Sequence, residues 1–511
     1  LEYGELPGLR AECHQGIADW YLKLFRASSD PSAALESIYH RLCCFHYVAN
    51  PGAKPGENLA QTSLIAAIET LTLARKEIIE RGHVRASVRL LDSLESACET
   101  HLGENEGKLD EKLKQLRNRC IELRRDYHHE IADFQMSLKI NHDVCASENL
   151  AGKSEKDSLD ANYREWVTNY PELRKDYHDA LACIGMRDYE GAWSTLLDLL
   201  KRLGFRKTPK DTWPLTLEGK EAAGECISGA RTEGSRWGEE NFQNQEKLKF
   251  AVHVIRRYMF LVMLRAQVTS LLNNEDKARP HMAFVYAEGL YVLGTSIMRY
   301  IEDHDSVQIE SAFYRTHLSV ALARLRRIIE AYRRLHEASG YLATSSKCHD
   351  ELPWAVIDLR RCEIYLERFE VEGDRIAAAA LLDRAQSSLE RAGQRLRRHP
   401  TDVWWRTLYH ELQLRLRCSQ VPASGCCQNQ EGCRFGPETC QRILESATHL
   451  IATDAYRLAR LVDFCIKMNV PVVDASSSLE DVMTKVEQQK LKLDPDVAAY
   501  VAGIRGKSWQ R

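Results

Sequence analysis

Between residues 180 and 199, small and large side chains fall at helical spacing on either side of a short polar turn. This pattern constrains the chain more than any other. Ala180 precedes the turn Met186-Arg187-Asp188, and Tyr189, Ala192, Leu196 and Leu199 follow it at intervals of three and four. Two antiparallel helices approach closely only where a small side chain on one faces a bulky one on the other. The spacing therefore predicts a helix hairpin with Ala180 and Ala192 as the small contacts. A similar offset runs from Tyr365 through Gly373-Asp374 to Ala378, Leu382 and Ala385, and another from Leu71 through Gly82 to Ser87, Leu91 and Leu94. Only 14 prolines and 27 glycines punctuate 511 residues, and no stretch sustains a period of two, so the class is expected to be all-α.

Helical periodicity runs through 9–27, 31–48, 59–81, 83–101, 106–148, 158–169, 171–185 and 188–204, then 216–230, 238–272, 278–303, 307–338, 352–372, 374–398 and 401–418, with four shorter helices in 438–504. Two stretches break it. Residues 204–214 carry Lys207, Pro209, Lys210 and Pro214, and residues 419–437 are rich in Gly, Cys and Gln. The breaks divide the chain into N-terminal helical repeats (1–204), central repeats (205–418), a Cys/Gly-rich loop (419–437) and C-terminal capping helices (438–511). Within 106–148, Leu109, Leu113, Leu116, Cys120, Leu123, Tyr127 and Ile131 form a heptad-like seam. A packing helix within the array is favoured there over a coiled coil.

The small-large offsets resemble tetratricopeptide repeats. That resemblance implies an α-solenoid of stacked antiparallel helix hairpins, a superhelix whose inner helices line a concave groove for a protein or peptide. A second resemblance rests on His14, Ile17, Ala18, Trp20 and Tyr21, then Asp30-Pro31, then Leu35, Glu36, Tyr39, His40 and Leu42. The series resembles the junction where the winged helix of STAND-class (NLR-like) NTPases passes into their C-terminal repeats. It implies the ligand-sensing part of a signalling ATPase of innate immunity or related defence, with the nucleotide module upstream of Leu1. The chain begins at Leu1 rather than Met and is expected to be a fragment. A stand-alone adaptor scaffold and a nucleic-acid-binding repeat protein are the alternative readings.

No catalytic constellation emerges, so an enzyme is not expected, and no cofactor is assigned. The nearest approach to a phosphate-binding loop, Gly503 to Ser508, has Val501 where the first glycine must stand. His128, His129 and Glu130 lack the second His four residues on that a helical zinc protease needs, Asp133 standing nearby instead. His40, Cys43, Cys44 and His46 share helix turns but are crowded by apolar neighbours. Cys426, Cys427, Cys433 and Cys440 lack Cys-x-x-Cys spacing and are only weak zinc candidates. Most of the 16 cysteines lie in helical patterns, and Cys13, Cys98, Cys120, Cys183, Cys226, Cys362 and Cys465 read as small core residues of a cytoplasmic protein with reduced thiols.

The formal net charge is -3, and no uncharged apolar run reaches membrane length. From 309 to 418, 18 arginines and one lysine face 15 acidic residues, a local +4; the interspersed acids suit solvated faces with i,i+4 pairs, and of the binding readings an acidic protein segment is favoured over nucleic acid. The groove-facing candidates are Tyr177, Arg256, Arg257, Arg324, Arg327, Arg360, Arg361 and Trp404.

Overall fold

The computed structural model describes residues 6–48, 57–80, 84–104, 111–130, 137, 140, 161–205, 220–272, 278–345, 351–370, 372, 374–398, 403–420, 455–467, 483–484 and 493–508. Every regular element among these residues is a helix, as an all-α chain requires. Two compact units are resolved, residues 1–153 with 398–403, and residues 154–397 with 404–511.

The first unit contains α1 (Leu6–Ser28), α2 (Pro31–Val48), α3 (Glu57–Glu80), α4 (Val84–Glu104) and α5 (Glu111–Glu130). Ser29, at φ 52°, turns the chain between α1 and α2. Asp30 then caps α2 by accepting from the Ser32 amide at 3.0 Å, while Pro31 occupies the first helical position, where its missing N–H costs nothing. Phe25, Ile38, Phe45, Leu64, Ile68 and Leu71 fill the core, with Leu91 and Leu94 of α4 and Cys120, Leu123 and Tyr127 of α5. Of the seam expected over 106–148, Cys120, Leu123 and Tyr127 pack in this core, while Leu109 and Ile131 and the side chains of Leu113 and Leu116 lie outside the described residues. Cys13 is exposed rather than part of the core, because α1 turns Ala11, Ala18 and Phe25 inward at sevenfold spacing.

The second unit begins with α6 (Ala161–Gly185) and α7 (Tyr189–Arg202). The sequence breaks this region at Pro171, yet α6 runs through it as one helix. Between the two helices Arg187 adopts φ 66°. The Arg187 amide donates to the Ile184 carbonyl at 3.2 Å and the Asp188 amide to that of Cys183 at 2.9 Å, the paired bonds of a left-handed helix stop. Asp188 caps α7 by accepting from the Gly191 amide at 3.0 Å. Ala180, Tyr189, Ala192, Leu196 and Leu199 are all fully buried, as the small-large spacing requires.

Next come α8 (Lys220–Glu240), α9 (Gln245–Leu272), α10 (Ala278–Met298), α11 (His304–Arg324) and α12 (Ile328–Thr344). The helix expected over 307–338 is therefore two. Arg326 at φ 63° breaks it with the same bonds as Arg187, its amide donating to Ala323 and that of Arg327 to Leu322. Neither glycine nor proline marks this turn, so composition alone conceals it. Ser319, Ala331, Leu335 and Ala338 are buried at the same offsets from Arg326 as Ala180, Ala192, Leu196 and Leu199 from Arg187.

The remaining elements are α13 (Leu352–Phe369), α14 (Arg375–Leu396), α15 (Val403–Gln420), α16 (Ala455–Lys467) and α17 (Pro495–Ser508). Asp374 caps α14 through the Ile376 amide at 2.8 Å. Burial in α14 falls on Leu381, Ala385, Ser388, Leu389, Ala392 and Leu396, so Ala385 and Ala392, and not the half-buried Ala378, are its fully buried small contacts.

Within this unit α6 packs on α7, α9 on α10, α11 on α12 and α13 on α14. Neighbouring pairs meet through α10 with α11, α11 with α13 and α12 with α13. Helix α9 is buried on nearly every side from Leu248 to Val268, as a helix surrounded by others must be. The Tyr314 hydroxyl of α11 donates to the Val252 carbonyl of α9 at 2.6 Å, passing over Gly294 of α10 where any side chain would collide with it. Arg327 with Glu330 and Arg333 with Glu337 are local helix pairs, but Arg324 and Arg327 also reach Glu367 and Glu288 on other helices.

Candidate functional site

Helical spacing places His253, Arg256, Arg257 and Phe260 together on α9, Glu310, Phe313 and His317 together on α11, and Arg360, Glu363 and Glu367 together on α13. These groups converge. Arg256 Nε lies 3.1 Å from Glu310 Oε2, and His253 Nδ1 lies 3.2 Å from Glu310 Oε1. The Arg256 guanidinium also stands 4.9 Å from the Phe313 ring. Burial pushes the Glu310 carboxyl up, but Arg256, His253 and Arg257 outweigh it and hold the group at about 2.

His317 sits behind this pair. Burial lowers its affinity for protons, and the guanidinium groups of Arg360, Arg256 and Arg257 lower it further, so the imidazole is neutral at physiological pH. Its Nδ1 is buried without a hydrogen-bond partner, and its ring lies 5.1 Å from that of Phe260. Phe260 in turn meets Trp404 edge-on at 5.5 Å, and the buried Arg187 guanidinium covers the Trp404 ring at 4.8 Å.

Arg257 differs from its neighbours. It is half-buried, its Nε is buried without a hydrogen-bond partner, and among the described residues no carboxylate lies within ion-pair distance of it. Arg324 and Arg360, in contrast, are compensated. Arg324 reaches Glu367 at 2.8 Å and Glu363 at 3.7 Å, and the buried Arg360 reaches Glu363 at 2.6 Å while lying 5.4 Å from the Trp405 ring. Arg415 of α15 joins this network through Glu367 at 2.7 Å and Glu370 at 2.6 Å.

The structure thus brings Arg256, Arg257 and Arg360 around His317 and links Arg324 to Arg360 through Glu363. Arg327, Arg361 and Tyr177 belong elsewhere. Arg327 joins Glu288 of α10 at 2.6 Å and Glu330 at 2.7 Å. Arg361 joins the buried Asp358 at 2.9 Å, a carboxylate that Arg391 and Arg395 also engage. Tyr177 packs edge-on against Phe250 at 5.6 Å. Glu310, His317, Glu363, Arg415 and Arg187 were not distinguishable in the sequence. The sevenfold spacing of Glu310 and His317 on one helix is the only signal that could have singled them out.

The metal readings find no support in the described residues, where no group of three His, Cys, Asp or Glu side chains is placed to hold an ion. His40 instead faces His14, Cys44 accepts from Ser63 at 3.3 Å, and His128 is buried. Cys426, Cys427, Cys433 and Cys440, and the side chains of Cys465, His129 and Glu130, lie outside what is described. Residues 503 to 508 are helical, part of α17, and form no phosphate loop. No described helix is long and apolar enough to cross a membrane.

Comparison with protein-family models finds no match, and comparison with curated proteins finds none either.

Proposed function

We propose that the second unit is a tetratricopeptide-like array of antiparallel hairpins that binds a protein or peptide on the face formed by α9, α11 and α13. The observation that carries this reading is the half-buried Arg257, which has no carboxylate within ion-pair distance among the described residues, beside the neutral His317 and the Phe260 and Trp404 rings. A guanidinium withdrawn from water without an anion costs free energy that an incoming carboxylate recovers, and aromatic side chains beside it supply contact area. Acidic side chains of a peptide are the chemistry this face would take. The matching burial around the Arg187 and Arg326 turns supports reading the hairpins as repeats. The STAND-type sensor role rests on the N-terminal resemblance alone, and the stand-alone adaptor requires nothing beyond the same face.

Selection of a random peptide library on the full chain tests the proposal. Acidic peptides are expected, and R257A is expected to weaken them about tenfold or more, the worth of a charge-assisted hydrogen bond. Peptides that bind R257A as well as wild type would place recognition elsewhere. Preferential capture of oligonucleotides with steep salt dependence would favour the nucleic-acid reading.

A further inference from the structure

A cavity of about 390 Å³ opens between the end of α14 and the start of α15, apart from the face described above. Arg397, Arg406, Tyr409, His410, Glu390 and Leu396 are among its walls. Its volume falls in the range of sites that enclose small ligands, about 300–1,000 Å³. Gly393 lies beneath Tyr409, where a Cβ would approach the hydroxyl to 2.8 Å, so the absence of a side chain lets the ring form the wall.

Among the described wall residues, two arginines, Arg397 and Arg406, stand with one acid, Glu390. Arg397 is exposed, and among the described residues no carboxylate lies within ion-pair distance of it. Glu390 accepts from the Gln386 amide at 2.6 Å. His410 is kept neutral down to about pH 4 by burial, with Arg406 acting in the same direction and Gln413 against it, and its Nδ1 is buried without a hydrogen-bond partner. Two guanidinium groups, a phenol and the His410 ring therefore line a space with an apolar wall at Leu396.

We propose that this cavity binds a small organic anion, a carboxylate or phosphate monoester whose charge sits between Arg397 and Arg406 and whose apolar body lies on Tyr409 and Leu396. Guanidinium forks can engage two oxygens of either headgroup bidentately, and the neutral His410 ring lines the site without adding charge.

Titration calorimetry of the full chain at fixed ionic strength with phenyl phosphate, benzoate and the neutral benzyl alcohol tests this. Saturable binding of at least one anion is expected, with none for the alcohol, and the stronger anion identifies phosphate or carboxylate as the preferred headgroup. R397A, which removes an exposed side chain and leaves folding intact, is expected to weaken binding about tenfold or more. The His410 imidazole resonances should move on titration, a readout that a purely structural change at Arg397 would not give. Absence of binding by both anions, equal binding by benzyl alcohol, or unchanged affinity in R397A and R406A would each overturn the proposal. R257A is expected to leave phenyl phosphate binding unaltered, which separates this site from the peptide face.

Discussion

Arg256 of α9 and Glu310 of α11 form an ion pair across two helices, with 3.1 Å between Nε and Oε2, although the atoms are not aligned as a hydrogen bond. The attraction is electrostatic rather than directional. Together with His253 and Arg257 it keeps a buried carboxylate ionised.

A carboxyl held at about 2 against an ordinary 4.5 is worth roughly 3 kcal/mol of stability at neutral pH. Between these values the unfolded chain binds more protons than the folded one, so the contribution is complete above pH 4.5 and is lost as pH falls towards 2. E310Q is expected to lower stability by up to about that amount at pH 7, and the gap to wild type should narrow in urea unfolding below pH 4.5. A pH-independent gap would contradict the assignment.

The His14 and His40 Nδ1 atoms are 2.7 Å apart, a contact that needs one of them neutral as acceptor. Burial, and then His14, lowers the affinity of His40 for protons. A base with a depressed folded pKa stabilises fully above its unfolded value of 6.5 and loses that contribution as pH falls through the folded value. Because His40 is only part-buried and its charge is screened by solvent, the effect should be below about 1 kcal/mol. The wild-type melting temperature should fall slightly more than that of H40F between pH 7.5 and pH 5.

Gly294→Ala should be among the most damaging single-methyl additions in the second unit. The methyl would collide with the Tyr314 hydroxyl, whose bond to Val252 would be broken at a fully buried site. Overpacking and a lost hydrogen bond together predict about 2–4 kcal/mol of destabilisation by chemical denaturation. Gly340→Ala, with open space around the Cβ, is the neutral control.

Burial should separate the cysteines by reactivity. Desolvation pushes the Cys183 and Cys362 thiols up to about 12, and Cys120 well above its ordinary value, so thiolate is scarce at pH 8. Of the described cysteines, Cys13 should be alkylated first by iodoacetamide, and Cys120 and Cys362 only on unfolding. Peptide mass mapping against time checks the order.

The sequence determined the helical class and the first hairpin, because the packing of two adjacent helices is a local matter. The side chains that decide it lie within about twenty residues, and Ala180, Ala192 and Leu196 are buried as their spacing requires. The turn at Arg326 escaped notice because a left-handed arginine carries no compositional mark. The charged face was legible only as a list of arginines. Arg324 meets Glu367, and Arg415 meets the same carboxylate, across helices more than forty residues apart, whereas Arg257 meets none among the described residues. Composition counts charges, but the free energy of each depends on desolvation and on its nearest opposite charge, and both are set by how the helices stack. Only the tertiary structure could distinguish the arginines paired across helices from Arg257, which has no carboxylate within ion-pair distance among the described residues.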